Sequence, residues 1–311
     1  MSIDVYKEKY IGSINEVVLG AGVKSLRIGG QSCYPFYLFE GKMPNPPRIA
    51  MEILDSTPDN WPDALMQIYG GEVDNPISWA RKCISDFNAE MIQLTLIGGD
   101  PNGKNRPVGD LISTVKEVIE TVDIPIVVWG CGNAERDAEI LSRIAETCTG
   151  KSLLLGPIEE KNYKQISPSL ISNGHIAILS TPIDVNLSKQ LNILAGNIGI
   201  PDEKIVNDPT IGALGYGLEY TYSVMERGMQ AALVQNDEKL QYPIYCNMAV
   251  EIWKTKEAKA VDERMGDVEK RGMLMEAVSA ITLFLAGAGV VVMRHPKAIS
   301  LVKTWIEKLI K

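Results

Sequence analysis

The sequence predicts an α/β protein, a (β/α)8 TIM barrel with an N-terminal β-hairpin cap. Three observations lead there. From residue 48 onward, short apolar runs alternate with segments whose apolar residues recur at helical spacing, giving eight strands and at least eight helices. The strand cores are continuous apolar runs, such as IVVW at 126–129 and VVVM at 290–293, the pattern of parallel strands covered by helices. The stretch 48–311 is close to the roughly 250 residues that eight βα units usually occupy. An open doubly wound sheet has the same ingredients, since strand order is not written in the sequence. One compact domain is expected, with a cap over 1–47 and the barrel over 48–311.

The cap comes first. Runs at 15–19 and 25–28 flank Gly20-Ala21-Gly22 and read as a hairpin. Residues 31–47 carry Pro35, Pro44, Pro46 and Pro47 and read as an irregular crossing. Residues 48–54 form a strand, after which Asp55 and Asp59 open a long loop holding Trp61. The helix at 76–87 has Pro76 in its first turn and Ile77, Ala80, Ile84 and Phe87 on one face. A strand at 91–97 ends in Gly98-Gly99-Asp100, and the helix at 110–122 repeats Leu111, Val115, Val118 and Val122. The strand at 124–129 runs into Gly130-Cys131-Gly132-Asn133, and the helix at 134–148 turns Ile140, Leu141 and Ile144 inward. The strand at 152–155 stops at Gly156-Pro157, and Pro168 interrupts the helical pattern of 160–171. A strand at 175–179 precedes Thr181-Pro182-Ile183-Asp184 and a helix at 186–198.

Next, Ile205-Val206 is a short strand that turns polar at Asn207 and Asp208 and meets Pro209. Gly212, Gly215 and Gly217 follow, then a helix to about 234 with Leu218, Met225 and Leu233 on one side. The remaining elements are a strand at 242–248, a helix at 249–259 and a charged surface insertion at 261–271. A buried helix at 272–286, a strand at 290–293 and a closing helix at 298–310 complete the chain.

Composition excludes several function classes. The chain has 311 residues, a net charge of −8 and a pI of about 5.0, with no basic cluster to follow a phosphate backbone, so nucleic acid is not an expected partner. The start, MSIDVYKEKY, is charged and lacks an apolar leader core, which reads as unprocessed and cytoplasmic. The uncharged run 277–293 is too short to span a membrane and is cut by Gly287 and Gly289. Cys33, Cys83, Cys131, Cys148 and Cys246 include no C-x-x-C pair, and only His175 and His295 could join them, so no zinc or iron–sulfur signature is present. Cys83 and Cys148 read as core. Cys131 reads either as a small residue filling a tight turn or as a reactive thiol.

In a barrel, residues just past each strand share one rim. That set holds Asp55, Asp100, Asn133, Asp184, Asn186, Asn207, Asp208, Asn247, Arg294 and His295. Acids and amides dominate it, which suits hydrogen bonds to a polar heterocycle. No nucleophile–base pair for acyl transfer is evident. His295 reads as structural and His175 as packing. Asp100, Asn133 and Asp184 also stand where helix caps belong. The glycine loop matches neither G-x-G-x-x-G nor G-x-x-x-x-G-K-[ST], so it gives no support to a nucleotide site, and it reads either as a ligand-facing wall or as a tight turn.

Four runs carry a resemblance: TPIDVNLSKQLNIL at 181–194, NDPTIGALGYGLEY at 207–220, GCGN at 130–133 and MRHP at 293–296. They resemble the small subunit of the corrinoid iron–sulfur protein, the delta subunit of the acetyl-CoA decarbonylase/synthase complex, and the likeness covers nearly the whole chain. The resemblance implies a barrel of the same superfamily as methyltetrahydrofolate methyltransferase and dihydropteroate synthase. It also implies a heterodimer with a large subunit that carries the [4Fe–4S] cluster and most of the corrinoid (cobamide) site. In the reductive acetyl-CoA (Wood–Ljungdahl) pathway, that pair accepts methyl from methyltetrahydrofolate through a separate methyltransferase and passes it to acetyl-CoA synthase. The candidates for corrinoid contact, chosen by rim position and motif match, are Asn186, Asn207, Asp208, Gly212, Gly215, Tyr216 and Gly217. No catalytic or metal-ligating residue is expected in this chain. Two other readings stay open: a pterin-binding methyltransferase using Asp100, Asn133, Asp184 and Asp208, and a scaffold that only docks other proteins.

Overall fold

The computed structural model describes residues 6–310. Half of the charged N-terminal run read above, residues 1–5, lies outside them, as does Lys311. The hairpin is formed by β1 (Val17–Leu19) and β2 (Leu26–Ile28), antiparallel with Val17 opposite Ile28. Gly20 and Gly22 take φ of +73° and +80° in its turn, a region closed to most other residues.

Eight parallel strands then close a barrel. In chain order they are β3 (Arg48–Leu54), β4 (Ile92–Thr95), β5 (Ile126–Trp129), β6 (Leu154–Ile158), β7 (Ile176–Ser180), β8 (Ile205–Asp208), β9 (Ile244–Cys246) and β10 (Ala288–Met293). Each pairs with its sequence neighbour, and β10 closes the ring on β3 with Val290 opposite Arg48 and Met293 opposite Met51. The open-sheet alternative is thereby removed.

Alternation along each strand fixes which side chains face in. Ala50, Val127, Leu154, Ile176, Ile178, Val206, Val290 and Val292 pack together inside. Val17, Leu19 and Ile28 of the hairpin join the same cluster, so the hairpin shares the barrel's interior core. The alternate residues, including Ile53, Leu94, Val128, Leu155 and Ile205, meet the surrounding helices.

Those helices form where the periodicity places them. Helix α4 (Ala134–Thr147) starts at Asn133, whose side chain accepts from the Arg136 N–H at 3.0 Å, and buries Ala138, Leu141 and Ile144. Helix α6 (Val185–Ile198) is capped by Asp184 and stopped by Gly199 at φ +102°. Helices α3 (Val108–Thr121), α7 (Leu218–Leu233) and α11 (Pro296–Leu309) close the wall in the same manner.

Several local expectations need correction. The loop holding Trp61 contains α1 (Asp63–Tyr69) and a 3-10 turn before α2 (Pro76–Ser85), because Leu65 and Tyr69 find a buried place against the barrel. Helix α5 (Tyr163–Ser172) runs through Pro168, since burial of Ile166 and Leu170 outweighs the lost backbone bond. β6 continues through Gly156-Pro157 to Ile158, and β8 extends over Asn207 and Asp208. The helix read at 249–259 breaks at Thr255 into α8 (Ala249–Lys254) and α9 (Lys256–Lys259). The charged insertion is shorter than expected: Asp267 caps α10 (Val268–Leu285), which takes in Arg271. No helix among the described residues is long and apolar enough to cross a membrane.

Candidate functional site

The carboxyl ends of the strands carry a polar layer inside an otherwise apolar barrel. Glu52 in β3 accepts from Thr95 Oγ1 at 2.7 Å and from Gln93 Nε2 at 3.2 Å. Its other oxygen accepts from Arg294 Nε at 2.6 Å. Gln93 also donates to Asn247 Oδ1 at 3.1 Å and accepts from the Tyr245 hydroxyl. The Arg294 guanidinium lies 4.6 Å from the Trp61 ring centre, and Tyr245 stacks on Trp129 with centroids 5.9 Å apart. Burying an ion pair is costly unless its remaining lone pairs are satisfied, and here a connected network satisfies them.

Above this layer the mouth is open. One cleft of about 450 Å³ lies between Trp61, Asp100, Lys104, Trp253 and Arg294. A second, of about 390 Å³, is walled by Trp129, Cys131, Asp208, Thr210 and Asn247. The two share Thr95, Ile97, Val250 and Lys254. Asp208, at the end of β8, accepts from Ser180 Oγ at 2.9 Å and the Thr210 N–H at 3.2 Å. Burial pushes its carboxyl up to about 7, against those bonds.

Other rim groups build the loops. Asp55 accepts from the Gly98 N–H at 2.8 Å and pairs with Arg106 at 2.9 Å, pinning the loop after β4; burial raises its carboxyl nonetheless. Asp137 reaches back from α4 to the N–H groups of Cys131 and Gly132, at 2.7 and 3.0 Å. Burial first, then the Asp137 charge, pushes the Cys131 thiol up to about 12, which favours the turn-filler reading of that residue over the reactive thiol. Asn133 and Asp184 are helix caps, and Asp100 accepts from the Asn102 N–H within its own loop. His295 is buried, stacks on Trp253 and caps α11, and burial drives its imidazole down to about 4. His175 is buried just before β7, between the Leu153 N–H and the Ala145 carbonyl. Glu276, pushed up by burial to about 7, accepts from the backbone N–H of Arg294 and His295 and so fixes the end of β10.

The glycine loop follows Asp208, and only Thr210 and Ile211 at its start line the second cleft. At Gly212 an added Cβ would lie 2.4 Å from the Gly217 carbonyl carbon, so the loop folds back on itself there. Gly215, at φ +81°, faces open space, and Gly217 takes φ +105°. Tyr216 is exposed, and its hydroxyl donates to Glu257 at 2.9 Å. Of the candidates named from the sequence, Asp208 lines the second cleft, whereas Gly212, Gly215, Tyr216 and Gly217 line neither cleft. Asn207 has the opposite parity and points toward the helical layer, where its Oδ1 finds no partner. Asn186 is exposed on the first turn of α6. Glu52, Gln93, Thr95, Trp129, Ser180 and Tyr245 were missed. Their signal was a polar residue at inward parity within an apolar strand, as in RIAMEIL and MIQLTL.

The chain matches the family model described as CO dehydrogenase/acetyl-CoA synthase delta subunit over residues 16–302. It is 34% identical to the acetyl-CoA decarbonylase/synthase complex subunit delta of Archaeoglobus fulgidus, covering 96% of this chain and 69% of that one. The subunit delta of Methanopyrus kandleri is also 34% identical, over 95% of this chain and 75% of its own. Among solved structures, dihydropteroate synthase from Xanthomonas albilineans with 4-aminobenzoic acid superposes with a TM-score of 0.57 at 10% identity, covering 86% of this chain and 94% of the other. The Yersinia pestis enzyme with a sulfonamide drug complex gives 0.57 at 12% identity, over 85% and 93%. At such identities these two structures are alike in fold.

Proposed function

Because the chain belongs to the CO dehydrogenase/acetyl-CoA synthase delta subunit family, we propose that it is the small subunit of a corrinoid-carrying heterodimer, a carrier of methyl groups in the acetyl-CoA pathway. In this reading its barrel mouth covers one face of the corrinoid, and the large subunit supplies the rest of the site and the [4Fe–4S] cluster. The observation that carries the reading is the open mouth walled by Trp129, Asp208, Thr210 and Asn247, above a polar layer whose hydrogen bonds are already met. Clefts of this size are smaller than a whole corrinoid with its side arms, so the ring would lie across the mouth. The rim suits such a contact, since amides and acids there meet the amide edge of a corrinoid and exposed Gly215 leaves room beside it.

Bound there, a corrinoid supplies a cobalt that accepts and releases methyl. This chain's residues would orient the ring and exclude water. Its described residues include no cluster of three or more His, Cys, Asp or Glu able to hold a metal. The Ser180–Asp208 pair is hydrogen-bonded and both histidines stand behind other side chains, so in this reading the chain supplies no nucleophile of its own.

A second reading, a pterin-binding methyltransferase, draws on Asp208, Asn247 and the face of Trp129, which would suit a flat heterocycle within the second cleft. The two readings part when the isolated chain is incubated with methyltetrahydrofolate and free cobalamin. The carrier reading expects no turnover. Turnover that disappears in Asp208→Ala would establish the enzyme instead.

A further inference from the structure

A side pocket of about 330 Å³ flanks the mouth, between the β6–α5 connection and α6. Thr210 lines both this pocket and the second mouth cleft, and its hydroxyl donates to the Thr181 carbonyl at 2.6 Å. Leu187 and Leu191 of α6 give the pocket an apolar wall. Thr181 borders it and is only 6% exposed, yet its hydroxyl has no hydrogen-bond partner. A buried hydroxyl left so is unusual, because the desolvation it suffers has no return inside the chain. The Glu159 carboxylate borders the pocket too and is half-buried; its backbone N–H and carbonyl are bonded to Asn162 and Tyr163, but among the described residues nothing donates to its carboxylate.

We propose that this pocket receives a peripheral carboxamide arm of the corrinoid, an inference that rests on the small-subunit reading above. The chemistry selects the group. Glu159 requires a donor, Thr181 can give or accept, and the leucines suit a short methylene stem. A carboxylate arm would meet Glu159 and Glu160, and an ammonium would meet Lys161 at the same rim. A neutral primary amide satisfies both polar groups without either repulsion. A ring lying across the mouth needs only to send one arm past Thr210 to reach them.

The test uses the chain paired with its large subunit and two probes: a cobinamide with intact carboxamide arms, and the same corrinoid with those arms hydrolysed to carboxylates. Retention is read by visible absorption through gel filtration. The wild-type pair should hold the amide form more tightly, and Thr181→Val should weaken that by about tenfold, with Glu159→Gln narrowing the preference between probes. In the free chain Thr181→Val should leave melting unchanged or raise it, because the hydroxyl it removes bonds to nothing; a clear fall would mark the hydroxyl as structural and overturn the assignment. Intact heterodimers of both variants that keep wild-type retention and preference would place the arm elsewhere. Wild-type chain that forms no heterodimer would remove the small-subunit reading itself, and this inference with it.

Discussion

At the scale of single residues, burial decides chemistry more than residue type does. Cys131 sits in a glycine turn at the mouth and is the one half-exposed cysteine, yet its thiol is held up at about 12 by burial and Asp137. The native chain should therefore react with a thiol reagent at pH 8 more than about tenfold slower than free cysteine; a fast phase of one equivalent would contradict this. Asp208 has the opposite consequence for stability. Folding keeps a proton on it up to about pH 7, whereas the unfolded chain releases that proton near pH 4. The folded state thus binds more protons across that window, and stability falls as pH rises through it. Glu276, also near 7, adds in the same direction. Asp208→Asn should flatten the decline in the urea midpoint between pH 5 and 8, and an unchanged slope would show that Asp208 is ionised in the fold. Arg294→Met would leave the buried Glu52 carboxylate without its 2.6 Å partner, at a cost of about 3–5 kcal/mol in urea unfolding.

At the scale of elements, the glycine loop separates crowding from backbone strain. Gly212→Ala drives a Cβ into the Gly217 backbone, whereas Gly215→Ala meets nothing and suffers only from φ +81°. The first should cost up to about 3 kcal/mol and the second about 1. Thermal unfolding orders them, and the reverse order would mean that the loop does not fold back as described. The elements were also where the sequence spoke most clearly. Apolar runs marked every barrel strand, and helical spacing marked the wall helices, because one layer of burial dictates each pattern. Pro168 and the helix beyond Trp61 were misread because tertiary burial, at Ile166 and Leu65, overrode local signals. The mouth was half legible. Residues after strands could be placed on the rim, but which of them turn inward depends on strand parity and loop hydrogen bonds. That is why the sequence groups Asn207 with Asp208 although they face opposite ways, and why Glu52 and Gln93 are absent from the rim read from the sequence.

At the scale of the whole molecule, hairpin and barrel share one interior. Leu19→Ala opens a cavity among Val17, Ile28 and the inward strand residues, and should cost about 2–5 kcal/mol in a single unfolding transition; a separate early transition would show the hairpin to be an independent appendage. In the proposed reading the barrel presents its polar mouth to the large subunit. The claim at the centre of this account is that the mouth covers a corrinoid held mainly by a large subunit. Its most direct test is purification of the tagged, full-length chain from its native source, followed by gel filtration and a visible spectrum. The account predicts a one-to-one heterodimer with corrinoid absorption that stays with the complex, and a chain that is colourless when separated from its partner. A chain that purifies alone, or whose partner carries no corrinoid, would contradict it.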